Sequence, residues 1–269
     1  MKLFSFTGGV HPSEKKELSK DIPIEKLPAP DELIIPLQQH TGAICEPLVN
    51  KGDYVKMYQK IGDAKAFISA PVHSPVSGEV VAIESRLHPL GLKVPSIVIK
   101  NDQKYEKENL TVNPDYSKLS PDQLRRIVRE AGLVGLGGAA FPTAVKLSPP
   151  QNKPIDTVIA NGAECEPYLT ADYRLMLEDT ESILKGMQII LYILSAKYGI
   201  IAIENNKPDA YKLVTQTIEK LGLTQIKAVL LKTKYPQGAE KQLIKAVLNR
   251  EVPSGGLPMD VGVVVQNVG

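Results

Sequence analysis

From residue 155 onward, runs of Val, Ile and Leu alternate with amphipathic segments, and this restricts the fold more than any other feature of the 269-residue chain. "IDTVIA" (155–160), "GIIAIE" (199–204), "IKAVLLK" (226–232) and "VGVVVQNV" (261–268) are expected as buried strands. Between them, 179–197, 208–222 and 239–249 carry apolar residues at helical spacing. Strands apolar on both faces and separated by helices imply a parallel sheet covered on both sides, a Rossmann-like α/β domain. Ligands in such sheets bind at the carboxyl ends of the strands, and "IANGAECEPY" follows one such end. The last strand ends at Gly269 with no closing helix, so the chain is expected to be a truncated piece of a longer protein.

The first half has another style. "DELIIPL", "AICEPLV", "DYVKM", "GEVVAI" and "PSIVIK" are short β-type runs, with turns at Gly52-Asp53, Gly62-Asp63 and Ser77-Gly78. They predict a small all-β barrel or sandwich. The chain therefore divides into a proline-punctuated extended lead-in (1–30), a β domain (31–105) and an α/β domain (120–269), with the charged, Asn/Asp-rich stretch 101–119 as linker. "SPDQLRRIVREAG" opens the last part as a helix. Ser120 is the N-cap, Pro121 the first helical position, Gln123 the capping-box partner and Gly132 the stop.

Composition narrows the function. Hydrophobic residues make up 43% and charged residues 23%, enough for a soluble globular core. Aromatics are 5% with no Trp, and the net charge is +2 without a basic stripe, so nucleic acid is not an expected partner. Cys45 and Cys165 are the only cysteines, which excludes a zinc ribbon or an iron–sulfur cluster built from this sequence alone. The N-terminus lacks a signal-peptide core, and the longest apolar run, "MQIILYIL" (187–194), is too short to span a membrane. A cytosolic protein, or the cytosolic face of something larger, is expected.

Three elements stand out. The first is "GLVGLGGAAFPTAVKL" (132–147), with Gly132, Gly135, Gly137 and Gly138 ahead of Phe141, Pro142 and Lys146. Small residues let backbone N–H groups approach an anion, and a following helix N-terminus would help. It is not a Walker A loop, and the match to the dinucleotide fingerprint (Gly135, Gly137, Ala140) has a helix where a strand should precede. A plain helix–helix connector is an equal reading. The second is "NGAECEPYLTADYR" (161–174), where Asn161, Glu164 and Glu166 follow a strand. The carboxylates could serve as acid and base, could accept hydrogen bonds from ribose hydroxyls, or could simply be a solvated loop. Cys165 has no histidine nearby in sequence and is expected to be inert. The third is "KYPQGAEKQL" (234–243), in which Tyr235 and Gly238 precede a helix with Glu240 in its first turn: an anion site or a well-capped helix.

In order and spacing, these elements with "REVPSGGLPMDVGVVVQNVG" resemble the flavin- and NADH-binding subunit of respiratory complex I. They are still more similar to the RnfC component of the Rnf (Rsx) electron-transport complex, whose leading "GGVHP" stands here at 8–12. The resemblance covers essentially the whole chain. It implies FMN cradled by the glycine loop, with Gly135, Gly137, Gly138 and Lys146 as contacts, Asn161 and Glu164 beside them, Tyr235, Gly238 and Glu240 closing the site, and Asn267 as a further flavin-side contact. It implies that Phe141 and Glu166 face NAD(H). It also implies two 4Fe-4S clusters in the full-length protein, on cysteine motifs absent here, together with other Rnf subunits as partners, ferredoxin as an indirect one, and a peripheral place on the cytoplasmic face of the membrane. Ala163 and Ala239 depart from the complex I pattern, which is acidic at both.

"NKGDYVKMYQKIGDAKAFISAPVHSPVSGEVVAIE" resembles the hammerhead fold of biotinyl and lipoyl carriers, a barrel-sandwich. Lys65 is the nearest counterpart of the modified lysine, and an unmodified docking module is the expectation. The competing readings are a carrier or scaffold active through Lys65, and a nucleotide-binding regulator without redox activity.

Overall fold

The structure is a computed structural model describing residues 2–111 and 115–269; Val112, Asn113 and Pro114 of the expected linker lie outside the described residues. Two compact units emerge, Met1–Glu25 with Leu147–Gly269, and Lys26–Lys146.

The first unit is a five-stranded parallel sheet in the order Leu3–Phe4, Ile226–Leu231, Tyr198–Glu204, Thr157–Gly162, Val263–Asn267. All four strands and all three helices read from the alternation are present, the helices as Thr180–Leu194, Pro208–Lys220 and Glu240–Leu248. The alternation works because side chains point to opposite faces along a strand. Val158, Ala160, Ile201, Ile203 and Val264 pack with Met176, Leu184, Met187 and Val214 on one face. Ile159, Ile200, Ala202, Val229, Val263 and Val265 pack with Leu243 and Ile244 on the other. Two elements escaped the sequence reading. Ala171–Glu178 is a helix that begins within 161–174, a stretch for which a solvated loop is one of the readings, and Leu3–Phe4 is an edge strand inside the lead-in. The first is only eight residues long and buries only Tyr173 and Met176, too few for a periodic signal.

The second unit contains a four-stranded antiparallel sheet (Glu32–Pro36, Lys93–Asn101, Gly78–Leu87, Tyr54–Val55) and a three-stranded one (Glu46–Pro47, Lys60–Asp63, Val72–His73). Ile35, Leu37, Val55, Ile61, Val72, Val80, Ile97 and Ile99 share one core, the barrel-sandwich expected from the short β runs. The helix Pro121–Glu130 belongs to this unit, and its capping box is made as expected: Gln123 N–H donates to Ser120 Oγ (3.3 Å) and Ser120 N–H to Gln123 Oε1 (2.8 Å). Gly132 follows with φ +69°, and a Cβ there would lie 2.4 Å from the Pro71 carbonyl, so no other residue ends the helix this way.

Arg129 ties this helix to the barrel with a bidentate pair to Asp63 (2.6 and 2.8 Å), while Lys60 bridges Asp63 (3.1 Å) and Glu130 (2.6 Å). Burial alone would raise the Asp63 pKa, but the Arg129 and Lys60 hydrogen bonds outweigh it and hold the carboxyl at about 2. A carboxyl depressed in the folded state adds stability above its unfolded pKa, near 3.8, and loses it as pH falls towards 2. Urea unfolding of the second unit is expected to lose about 2 kcal/mol through this window, and Asp63→Asn to remove most of that pH dependence.

Candidate functional site

The strand order of the first unit defines a switch point. From Thr157–Gly162 the chain adds Tyr198–Glu204 and Ile226–Leu231 on one side, then returns to place Val263–Asn267 on the other. The crevice at the carboxyl ends of Thr157–Gly162 and Val263–Asn267 is where such sheets bind ligands. Asn161 and Asn267 are register partners there. Both spend their amides inside the chain. Asn161 donates to the Gly238 carbonyl (2.8 Å) and accepts from Ala163 N–H (3.1 Å). Asn267 donates to Asp172 Oδ2 (2.8 Å) and accepts from Gly269 N–H (2.7 Å). They hold the loops that border the crevice.

Gly238 is the close contact between two of those loops. A Cβ on it would lie 2.6 Å from the Ala163 carbonyl and 3.0 Å from Cys165 Sγ. Its N–H donates to Cys165 Sγ (2.9 Å). Burial pushes the Cys165 thiol up to about 11, with Glu204 adding to it, which keeps it in the protonated form near neutral pH. Tyr235 is 40% exposed and pairs through its backbone with Val10 (2.8 Å in both directions). Glu240 is the half-buried first residue of its helix.

The two neighbouring glutamates are in opposite environments: Glu164 is 5% exposed, whereas Glu166 lies on the surface. Glu164 Oε1 accepts from Asp172 N–H (2.9 Å), while Oε2 is buried with no hydrogen-bond partner. Burial raises the Glu164, Asp172 and Glu204 pKa values. Lys16, missed by the sequence reading, lies 3.9 Å from Glu164 Oε2, and burial lowers its pKa with help from Lys207. Glu204 and Lys207 form a fully buried ion pair (3.2 Å). Gln237 is wholly buried with both amide atoms unpaired. Neither Lys16 nor Gln237 carries a pattern that sequence alone could have flagged.

The glycine loop belongs to the second unit. Its neck is closed by Gly135 N–H to the Phe141 carbonyl (2.9 Å) and Thr143 N–H to the Leu133 carbonyl (2.9 Å), with Val134 and Pro142 bridged. The Phe141-Pro142 step is therefore the returning arm of the loop. Its tip, 136–139, is exposed, and nothing lies within 4 Å of where a Cβ on Gly138 would stand. The helix after it, Thr143–Lys146, is a single turn, so the helix-dipole contribution foreseen from sequence is small. Lys146 is its half-buried last residue. Thr41 holds the tip: its Oγ1 donates to the Ala139 carbonyl (2.6 Å) and its N–H to the Ala140 carbonyl (3.3 Å). Thr41→Val is expected to speed amide exchange across Gly138–Ala140 roughly three- to tenfold, and Thr41→Ser to leave it unchanged. Lys65 is exposed, in the loop joining the paired strands Lys60–Asp63 and Val72–His73.

A flavin nucleotide needs a bare backbone against its ring, acceptors for its ribityl hydroxyls and donors for its polar edge. In the first unit, Glu164 Oε2 and the Gln237 amide have no hydrogen-bond partner and are an acceptor and donors of the kind such a group uses; the second unit, taken by itself, carries an uncovered backbone at Gly138.

A doubly wound sheet with its switch point lined in this way defines a nucleotide-binding α/β module joined to a barrel-sandwich. The Nuo51 FMN-binding domain family matches residues 128–269, more than half of the sequence, and the chain belongs to that family. Residues 4–104 match the RnfC barrel sandwich hybrid domain. The chain is 50% identical over 268 residues to the RnfC-type component of the proton-translocating ferredoxin:NAD+ oxidoreductase complex of Clostridium ljungdahlii, covering 99% of this chain and 58% of that relative. It is 44% identical over 271 residues to the corresponding component of the Na+-translocating ferredoxin:NAD+ oxidoreductase complex of Acetobacterium woodii, covering 100% of this chain and 60% of that relative. It thus spans little more than half the length of these curated relatives. Among solved structures, an NAD+-reducing nickel–iron hydrogenase matches with TM-score 0.50 and 25% identity, over 55% of this chain and 29% of the hydrogenase chain.

Proposed function

We propose that the chain is the flavin-bearing part of a peripheral subunit of an ion-translocating ferredoxin:NAD oxidoreductase complex. It passes electrons between NADH and FMN, and onward to two 4Fe-4S clusters carried outside these 269 residues. The observation that carries this reading is the coincidence of the FMN-domain family match with a switch point beside which a buried acceptor, Glu164 Oε2, has no hydrogen-bond partner and lies 3.9 Å from Lys16. The names of the relatives support the complex, the other Rnf subunits and ferredoxin as indirect partner. Among the described residues no helix is long and apolar enough to cross a membrane. Attachment through partner subunits at the cytoplasmic face of the membrane is part of the same proposal.

FMN, when bound, supplies the exchange between two-electron hydride chemistry and one-electron carriers. The chain's own residues bind and orient. Gly137 and Gly138 offer backbone N–H groups, Gly135 closes the neck of the loop that carries them, and Lys146 offers charge. Glu164 accepts from hydroxyls, while Asn161, Asn267, Tyr235, Gly238 and Glu240 shape the crevice. Phe141 and Glu166 serve the nicotinamide nucleotide. The glutamates then act as hydrogen-bond acceptors, with no proton transfer demanded of them. FMN titration followed by quenching of flavin fluorescence tests this: saturable binding is expected, weakened more than tenfold by Gly138→Val, which fills the uncovered backbone. Absence of binding to the full-length protein would overturn the reading.

A further inference from the structure

The N-terminal segment contains a lysine whose surroundings are those of a built site. Lys16 is 148 positions from Glu164 in sequence, yet its side chain is only 10% exposed. The ammonium donates to three backbone carbonyls of one loop: Glu164 (2.8 Å), Glu166 (3.1 Å) and Leu169 (2.7 Å). An ammonium has three N–H donors, and here each has an acceptor. The loop has no regular secondary structure between the strand and the helix Ala171–Glu178, and Tyr168 within it has φ +69°. Buried carbonyls without partners are costly, so a loop that turns three of them inward needs a donor at its centre. Three further bonds fix the same segment to the loop, Tyr168 N–H to the Glu14 carbonyl (2.8 Å), Ser19 Oγ to the Tyr168 carbonyl (3.2 Å) and Thr170 Oγ1 to Ser19 Oγ (2.9 Å).

We propose that Lys16 is a positioning residue for nicotinamide-nucleotide binding: it sets the course of the 164–169 loop and so the place of Glu166. This rests on the reading of the site given above. The charge does not meet the ligand. It holds the backbone that presents Glu166 outward and Glu164 inward, which explains why these closely spaced acidic residues have opposite environments. Two of the three Lys16 acceptors, the Glu166 and Leu169 carbonyls, lie in the part of the loop that carries Glu166, while Glu164 keeps its bond from Asp172 N–H, so the loss of Lys16 falls more heavily on nucleotide than on flavin affinity.

The test uses the full-length, FMN-loaded protein and compares wild type with Lys16→Met, which keeps the stem and removes the donors. The dissociation constants of FMN and of NADH are measured separately, with amide exchange over 164–170. NADH affinity is expected to fall on the order of tenfold to a hundredfold while FMN affinity changes less than threefold, with faster exchange confined to that loop. Equal losses of both affinities would mean general structural damage and would overturn the inference, as would unchanged NADH binding. If Lys16→Met does not fold, Ser19→Ala loosens the same attachment more gently. It is expected to weaken NADH binding two- to fivefold with FMN binding intact, and no change in NADH binding overturns the inference. A wild-type protein that binds neither ligand would instead defeat the proposed function.

Discussion

Glu204→Leu is expected to destabilise the first unit by about 3–5 kcal/mol, the largest single effect foreseen for this chain. Glu204 is fully buried and Lys207 is 2% exposed, with 3.2 Å between their charged atoms. Removing the carboxylate leaves an interior ammonium whose remaining hydrogen bond, among the described residues, is to Asn206 Oδ1 (3.1 Å), with the like charge of Lys16 and the carboxyls of Glu164 and Asp172 close enough to act on it. Total stabilities of domains this size are about 5–15 kcal/mol, so much of the margin disappears. The double variant Glu204→Leu/Lys207→Leu removes both charges and is expected to recover most of the loss, because two apolar side chains need no solvation. Urea unfolding of the four proteins of this cycle is the measurement. A single variant as stable as wild type would show that the pair is not buried as described.

Gly238→Ala comes second. Most glycine-to-alanine changes are mild, but here the new Cβ meets a backbone carbonyl at 2.6 Å, and a carbonyl in a packed loop cannot swing away as a side chain can. Either the 163–165 loop or the 236–238 loop must shift. A loss of about 1–3 kcal/mol is expected. The same shift breaks the Asn161–Gly238 and Gly238–Cys165 hydrogen bonds, so FMN affinity is expected to fall more than tenfold in fluorescence titrations. Unfolding data and flavin titration on this variant separate the two consequences. Binding at wild-type strength would remove Gly238 from the site.

The parallel sheet was readable because its strands are apolar on both faces: Val158 and Ile159 are adjacent and bury in different cores. The cap of Pro121–Glu130 was readable because capping is local chemistry, confined to Ser120, Pro121 and Gln123. Long-range features were not. Lys16 looks like any lysine of a polar segment until its three acceptors arrive from 148 to 153 positions away. Thr41 likewise has no mark in sequence, since its partner carbonyl is on Ala139. The two-residue strand Leu3–Phe4 is too short for periodicity, and it exists because the neighbouring strand edge at Leu230 and Leu231 offers hydrogen bonds. Asn161 and Asn267, which the resemblance marks as flavin contacts, are register partners at the ends of neighbouring strands. Their amides, however, are engaged by Gly238, Ala163, Asp172 and Gly269, partners that only the folded chain reveals.

The proposed function requires a flavin on this chain that a nicotinamide nucleotide can reduce. Anaerobic addition of NADH to the FMN-loaded protein, followed at the flavin absorbance band, tests it most directly. Bleaching of the band by NADH is expected, with slower bleaching in Glu166→Gln at equal flavin occupancy. A band unchanged by excess NADH in full-length, FMN-loaded protein would contradict it.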